Sequence, residues 1–256
     1  MPLKKNPDGA YPAPLPPDEA ERVKALQDYQ VLDSMPEQAF DDLVFLASHI
    51  CQTPIALVSL VDSDRQWFKA RVGLGAPQTA RDLAFCAHAI LEPDRIMQVQ
   101  DASKDERFNT NPLVTGAPDI RFYAGTPLVT PDGRAIGTLC AIDRKPRELT
   151  AEQLRALRAL SREVMTQLEL RRTILTLERT LASAAATHAA RQEPDEPASR
   201  PSGPDPTSRP SGPDQAQRAR AVVSKLDSGT EVEDRMRGLL ARMQQLQKRT
   251  GGSSKP

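Results

Sequence analysis

PIALVSLVDSDRQWFKARVGLG, residues 54–75, is the stretch on which the fold turns. Ile55 to Val61 is a short, nearly continuous apolar run, the pattern of a strand buried on both faces. Asp62-Ser63-Asp64-Arg65 then forms a polar turn, and Gln66 to Val72 reads as a second strand leading back along the first. Successive side chains on a strand take opposite faces. Trp67 and Phe68 therefore point apart, and at most one can face any one site.

The pattern extends in both directions. Upstream, Asp18 reads as the cap of a short helix, with Glu21 three positions on as in a capping box, and Val23, Leu26 and Tyr29 on one face. A second helix follows Pro36, with Phe40, Leu43, Val44, Ala47 and Ile50 at helical spacing. Downstream, Phe85 to Leu91 fits either a strand or a short helix, Ile96 to Val99 a strand, and Lys104 to Phe108 one helical turn. Ile120 to Val129, Pro131-Asp132-Gly133 and Ala135 to Ile142 read as a hairpin with an Asp-Gly turn. Thr150 opens a long helix with Glu152 in its first turn.

That helix changes its apolar face partway. Leu154, Leu157, Val164 and Leu168 form one stripe, expected to face the sheet. Leu170, Ile174, Leu177, Leu181 and Ala184 form a second, with alternating spacings of four and three that suit a two-stranded coiled coil. A homodimer through this seam is the expectation.

Composition concentrates the core. Of the ten aromatic residues only Tyr11 lies outside Tyr29 to Tyr123. Residues 1–20, with prolines at 2, 7, 12, 14, 16 and 17, read as an extended, disordered arm. Residues 191–227 read as a Pro-rich linker, in which Ser199 to Asp205 recurs at Ser208 to Asp214. Residues 228–250 read as an amphipathic helix with Val232, Met236, Leu239, Met243 and Leu246 on one side, followed by a disordered tail over 251–256. Basic and acidic residues balance at 34 each, which gives no electrostatic footprint for nucleic acid or anionic lipid. Lacking a secretory signal or a run of about 20 apolar residues, the chain reads as cytoplasmic. The three cysteines, Cys51, Cys86 and Cys140, read as buried thiols.

Residues 54–75, Phe85-Cys86-Ala87-His88-Ala89-Ile90 and Arg121-Phe122-Tyr123-Ala124-Gly125-Thr126-Pro127-Leu128 together resemble the GAF domain family. The resemblance covers Glu21 to near Arg171 and is nearest the branch found ahead of bacterial histidine kinases and diguanylate cyclases. It implies an α+β fold: a central antiparallel sheet with flanking helices and a long exit helix, here over 172–190. It also implies a sensor pocket between one sheet face and the loops that cover it. Trp67, Phe68, Phe85, Cys86, His88, Phe108, Phe122 and Tyr123 are the candidates to line it, with Arg121 (or Arg81 or Arg107) to hold an acidic group. The expected role is a stand-alone regulatory protein in bacterial signal transduction, not an enzyme, that passes a ligand or partner state to a signalling partner in trans. A ligand-free dimeric scaffold with a partner-binding C-terminal helix is one alternative, and a thiol enzyme resembling the family's free methionine sulfoxide reductases is the other.

Other chemistry is set aside on the residues. His49-Ile50-Cys51 and Cys86-Ala87-His88 offer a zinc ligand set, but helix positions two apart project about 200° from each other. Bilin attachment at Cys86 is disfavoured because Ala87 intervenes before His88 where the resemblance to phytochrome-like members would want Cys-His. Asn109-Thr110-Asn111 is not the cyclic-nucleotide signature of the family. A reductase resembling the family's free methionine sulfoxide reductases would need a reactive thiol and a resolving partner. The separations of Cys51, Cys86 and Cys140 do not match that branch, and no helix start or lysine cluster activates Cys86 or Cys140. His188 faintly resembles a phosphoacceptor box but sits at a helix end before the Pro-rich linker.

Overall fold

The computed structural model describes residues 5–191. The linker beyond Arg191, the helix expected at 228–250, the tail and the side chain of His188 lie outside the described residues.

Two helices, α1 (Glu19–Asp28) and α2 (Gln38–Cys51), precede a hairpin of β1 (Ile55–Val61) and β2 (Arg65–Val72). A short β3 (Gln78–Ala80), a 3-10 turn (Arg81–Leu83) and α3 (Phe85–Ala89) lead to β4 (Met97–Val99) and α4 (Pro112–Thr115). The hairpin β5 (Phe122–Val129) and β6 (Ala135–Asp143) and the 41-residue α5 (Ala151–Arg191) complete the order. The six strands form one antiparallel sheet, β3-β2-β1-β6-β5-β4, so β1 and β6 pair at its centre. Every residue of β1 and β6 is buried, as continuous apolar runs require when both faces are covered.

Alternation divides each strand between two cores. Ala56, Val58 and Leu60 of β1 join Trp67, Phe122, Leu139 and Ala141 beneath α2 and α5. Ile55, Leu57 and Val61 join Phe68, Tyr123, Cys140 and Ile142 beneath α3, α4 and the connecting loops. Two β-bulges interrupt this. One places Lys69 between residues paired with Val58 and Ser59, and the other skips Ile136 between the partners of Val129 and Leu128. The Lys69 bulge sends a buried ammonium to the α2 side, where it donates to Ser34 Oγ, the Met35 carbonyl and Glu37 at 2.7–2.8 Å. The β5–β6 hairpin turns at Pro131–Gly133, where Gly133 takes φ +85° at no steric cost.

Thr150 caps α5: its Oγ accepts from Gln153 N–H and the Gln153 side chain accepts from Thr150 N–H, a reciprocal capping box. Leu157, Val164 and Leu168 are fully buried and Leu154 partly so, as the first stripe requires. Leu170, Ile174, Leu177 and Leu181 are 46–69% exposed.

Three expectations are corrected. Asp18 makes no side-chain cap on α1; its carboxylate goes to Arg134 at 2.6 Å, and Glu21 is exposed. Glu19 instead binds Arg22 and Arg81, so Arg22 rather than Val23 fills the buried position. Lys104–Phe108 is not helical, because Asp101 and Asp105 accept from the N–H groups two residues on and hold the chain in turns. The arm is not free either. Residues 5–17 form neither helix nor strand, yet Ala10 is fully buried, Thr110 Oγ1 donates to the Gly9 carbonyl at 2.7 Å, and His88 Nε2 meets the Tyr11 carbonyl at 3.1 Å.

Candidate ligand cavity

On the sheet face away from α2 and α5 lies a cavity of about 390 Å³. Its floor is Ile55 and Leu57 of β1, Gln66 and Phe68 of β2, Tyr123 of β5 and Ile142 of β6. Its cover is the Gly73–Ala76 loop, Thr79, Phe85 and Cys86 of α3, Leu113 of α4, Ala117-Pro118 and Ile120. Gly73 starts that loop at φ +75°, and a Cβ there would stand 2.0 Å from the Pro54 carbonyl oxygen, so only glycine turns the chain out of β2 at this point. The volume and mainly apolar lining suit a small organic ligand. A larger groove of about 590 Å³ runs between Pro93–Ile96, β5 and α5. It is more open to solvent, so the cavity between sheet and cover is the better site.

Polar groups gather at two points. At the mouth, Arg144 donates from Nε to the Pro118 carbonyl at 3.0 Å and has no carboxylate partner among the described residues. Its guanidinium is positioned for an anionic or carbonyl group. On the floor, Gln66 Nε2 donates to Thr79 Oγ1 at 2.7 Å, while Ser59 Oγ donates to Gln66 Oε1 at 3.2 Å. Deeper, Cys86 Sγ accepts from Thr138 Oγ1 at 3.1 Å and from Tyr123 OH at 3.4 Å, in the buried core that also holds Cys140. Burial pushes the Tyr123 phenol and the Cys140 thiol well above their ordinary pKa values. Burial acts the same way on Cys86, but hydrogen bonds from its neighbours, Thr138 and Tyr123 among them, outweigh it and lower its pKa.

The structure sorts the expected pocket residues by strand parity. Phe68, Phe85, Cys86 and Tyr123 line the cavity. Trp67 and Phe122 do not: both lie in the opposite core beneath the helices. Phe108 stands behind the wall, stacked on Phe85 with centroids 3.9 Å apart. His88 packs edge-on against Phe108 and turns to the arm; burial lowers its pKa to about 4. Arg121 braces the cover, bonding the Val114 and Ile120 carbonyls and Asp119, so it does not line the cavity. Arg81 is tied to Glu19 and Arg107 to Asp105.

Sequence reasoning missed Arg144, Gln66 and Thr79, and the meeting of Cys86 with Thr138. Arg144 was within reach of it, since Cys140, Ile142 and Arg144 alternate onto one face. The reading that no helix start serves Cys86 is corrected, because Cys86 is the second residue of α3. His49 is exposed while Cys51 is buried under the helices, so they diverge as the helical geometry requires. No group of three potential metal ligands occurs among the described residues.

Comparison with known proteins fits this architecture. A family profile described as GAF domain matches residues 35–168. A 140-residue segment is 45% identical to the cyclic di-GMP phosphodiesterase PA2567 of Pseudomonas aeruginosa. That segment is 55% of this chain, and the chain spans about a quarter (24%) of that relative's length. Among solved structures, bacteriophytochrome RpBphP3 from R. palustris matches with TM-score 0.50 at 10% identity, over 67% of this chain and 41% of that one. The GAF domain of an Acinetobacter phosphoenolpyruvate-protein phosphotransferase matches with TM-score 0.46 at 15% identity, over 62% and 98%.

Proposed function

The chain belongs to the GAF domain family, of the kind found in bacterial signalling systems, and from that premise we propose that it is a ligand-binding regulatory module acting as a homodimer. The ligand is a small, largely apolar molecule with one anionic or carbonyl group directed at Arg144. Binding biases the packing of α5, and the seam of Leu170, Ile174, Leu177 and Leu181 carries that bias to a second copy and to a signalling partner in trans. Binding rather than turnover is the role in this reading.

One observation carries it: the cavity and α5 lie on opposite sides of the same strands, β5 and β6. Cys140 and Ile142 face the cavity core, and Leu139 and Ala141 face the helix core. A ligand that shifts β6 thus shifts the surface on which α5 rests. The 45% identity to a cyclic di-GMP phosphodiesterase supports control of a second-messenger enzyme as the output.

Native mass spectrometry of freshly purified full-length protein, with a denatured control, tests both parts. A dimer carrying a small mass that is lost on denaturation is the expected result. A dimer with no added mass, even after incubation with small carboxylates and cyclic dinucleotides, would favour the ligand-free scaffold. Charged substitutions Ile174→Glu and Leu177→Glu should give folded monomers; a persistent dimer would place the interface elsewhere.

A further inference from the structure

We infer that Cys86 and Cys140 form a peroxide-reactive thiol pair at the base of the cavity, with Cys86 oxidised first and Cys140 closing it as a disulfide. The inference needs the cavity but no resident ligand, so it stands apart from the ligand reading.

Three observations carry it. Cys86 lines the cavity and is the one cysteine that a small molecule inside would meet. Two hydroxyls, Thr138 Oγ1 and Tyr123 OH, stand within hydrogen-bond distance of its sulfur, and such donors favour the thiolate form. Cys140, also unbridged, lies two residues beyond Thr138 on β6 and in the same buried core as Cys86. The pKa directions agree: Cys86 is lowered, while Cys140 and Tyr123 are raised and so keep their protons as donors.

The chemistry balances with a hydroperoxide as oxidant. The Cys86 thiolate attacks the distal peroxide oxygen; an S–O bond forms as the O–O bond breaks. The departing alkoxide or hydroxide takes up the proton Cys86 had given up, leaving a sulfenic acid and an alcohol or water. Cys140 sulfur then attacks the sulfenic sulfur, an S–S bond forms, and the hydroxyl leaves as water with the Cys140 proton. Two thiols and one hydroperoxide become a disulfide, an alcohol or water, and a second water.

Cys51 is a built-in reference. It lies in the other core, beneath the helices, and burial pushes its pKa up to about 11. Full-length protein is treated with near-stoichiometric hydrogen peroxide, alkylated and mapped by peptide mass. The expected result is loss of alkylation at Cys86 and Cys140, a peptide joining them, and an intact Cys51 thiol. In Cys140→Ser, Cys86 should stop at a sulfenic acid trapped by dimedone. Thr138→Val keeps both sulfurs and should slow oxidation on the order of tenfold, the effect of losing one hydrogen bond to a charged group. Three fully alkylated cysteines after treatment, or Cys51 oxidised before Cys86, would overturn the inference, and these wild-type outcomes do not depend on any variant folding.

Discussion

The two faces of the sheet are built from the same strands and are finished differently. On one, α2 and α5 lay long apolar stripes over Trp67, Phe122 and Leu139 and close the core. On the other, short helices and loops cover Phe68, Tyr123 and Ile142 and leave about 390 Å³ open, with hydroxyls, thiols and a guanidinium around it. Helices bury area continuously along their length, whereas a cover assembled from turns meets the sheet at separate points. Stability is thus concentrated on one side, and room for chemistry on the other.

The sharpest test sets two phenylalanines from opposite faces against each other. Phe122→Ala, beneath the helices, should cost about 4 kcal/mol in urea unfolding, since it empties a closed core. Phe68→Ala enlarges an existing cavity and should cost less, about 3 kcal/mol, the lower end for a buried phenylalanine. Equal losses would abolish the distinction.

Acid probes the covered face next. His88 is held neutral by burial, with its pKa lowered to about 4 from an unfolded value of 6.5. The unfolded chain therefore binds the extra proton between these values. Stability is full above pH 6.5 and falls as pH drops toward 4, by at most about 3 kcal/mol. His88→Gln should flatten that part of the pH–stability curve, and an unchanged slope would mean that another group controls it. Arg144→Ala should be the mildest change, within about 0.5 kcal/mol in thermal unfolding. It should still strip any anionic mass seen bound to the wild type; retention of that mass would remove Arg144 from the site.

Much of this was legible in the sequence. β1 is bounded as its apolar run indicates, and Trp67 and Phe68 separate as alternation requires. Parity also divides Phe122 from Tyr123, but it does not say which face holds the cavity, so both pairs entered the list of candidates. The bulges at Lys69 and Ile136 left no local mark, because each depends on the pairing of a partner strand. Lys104–Phe108 reads as a helical turn, but the Asp101 and Asp105 side chains compete for the backbone donors. Most of all, chain separation hid the meeting of Cys86 on α3 with Thr138 on β6, 52 residues on. The docked arm was hidden likewise, since its proline content signals poor helix and strand but not what an extended chain can lie against.

The length of α5 has a mechanical meaning. Beyond Leu168, the last fully buried member of its stripe, Glu169, Arg171 and Arg179 still bond Tyr29, Glu37 and Gln30, and the described helix runs on to Arg191. At about 1.5 Å per residue the stretch past Arg179 is a rod of roughly 18 Å. A tilt of about 5° at that last bond would sweep its far end by about 1.5 Å over that length. Such a helix would act as a pointer on a braced pivot, with any tilt at the brace growing in proportion to the distance from it.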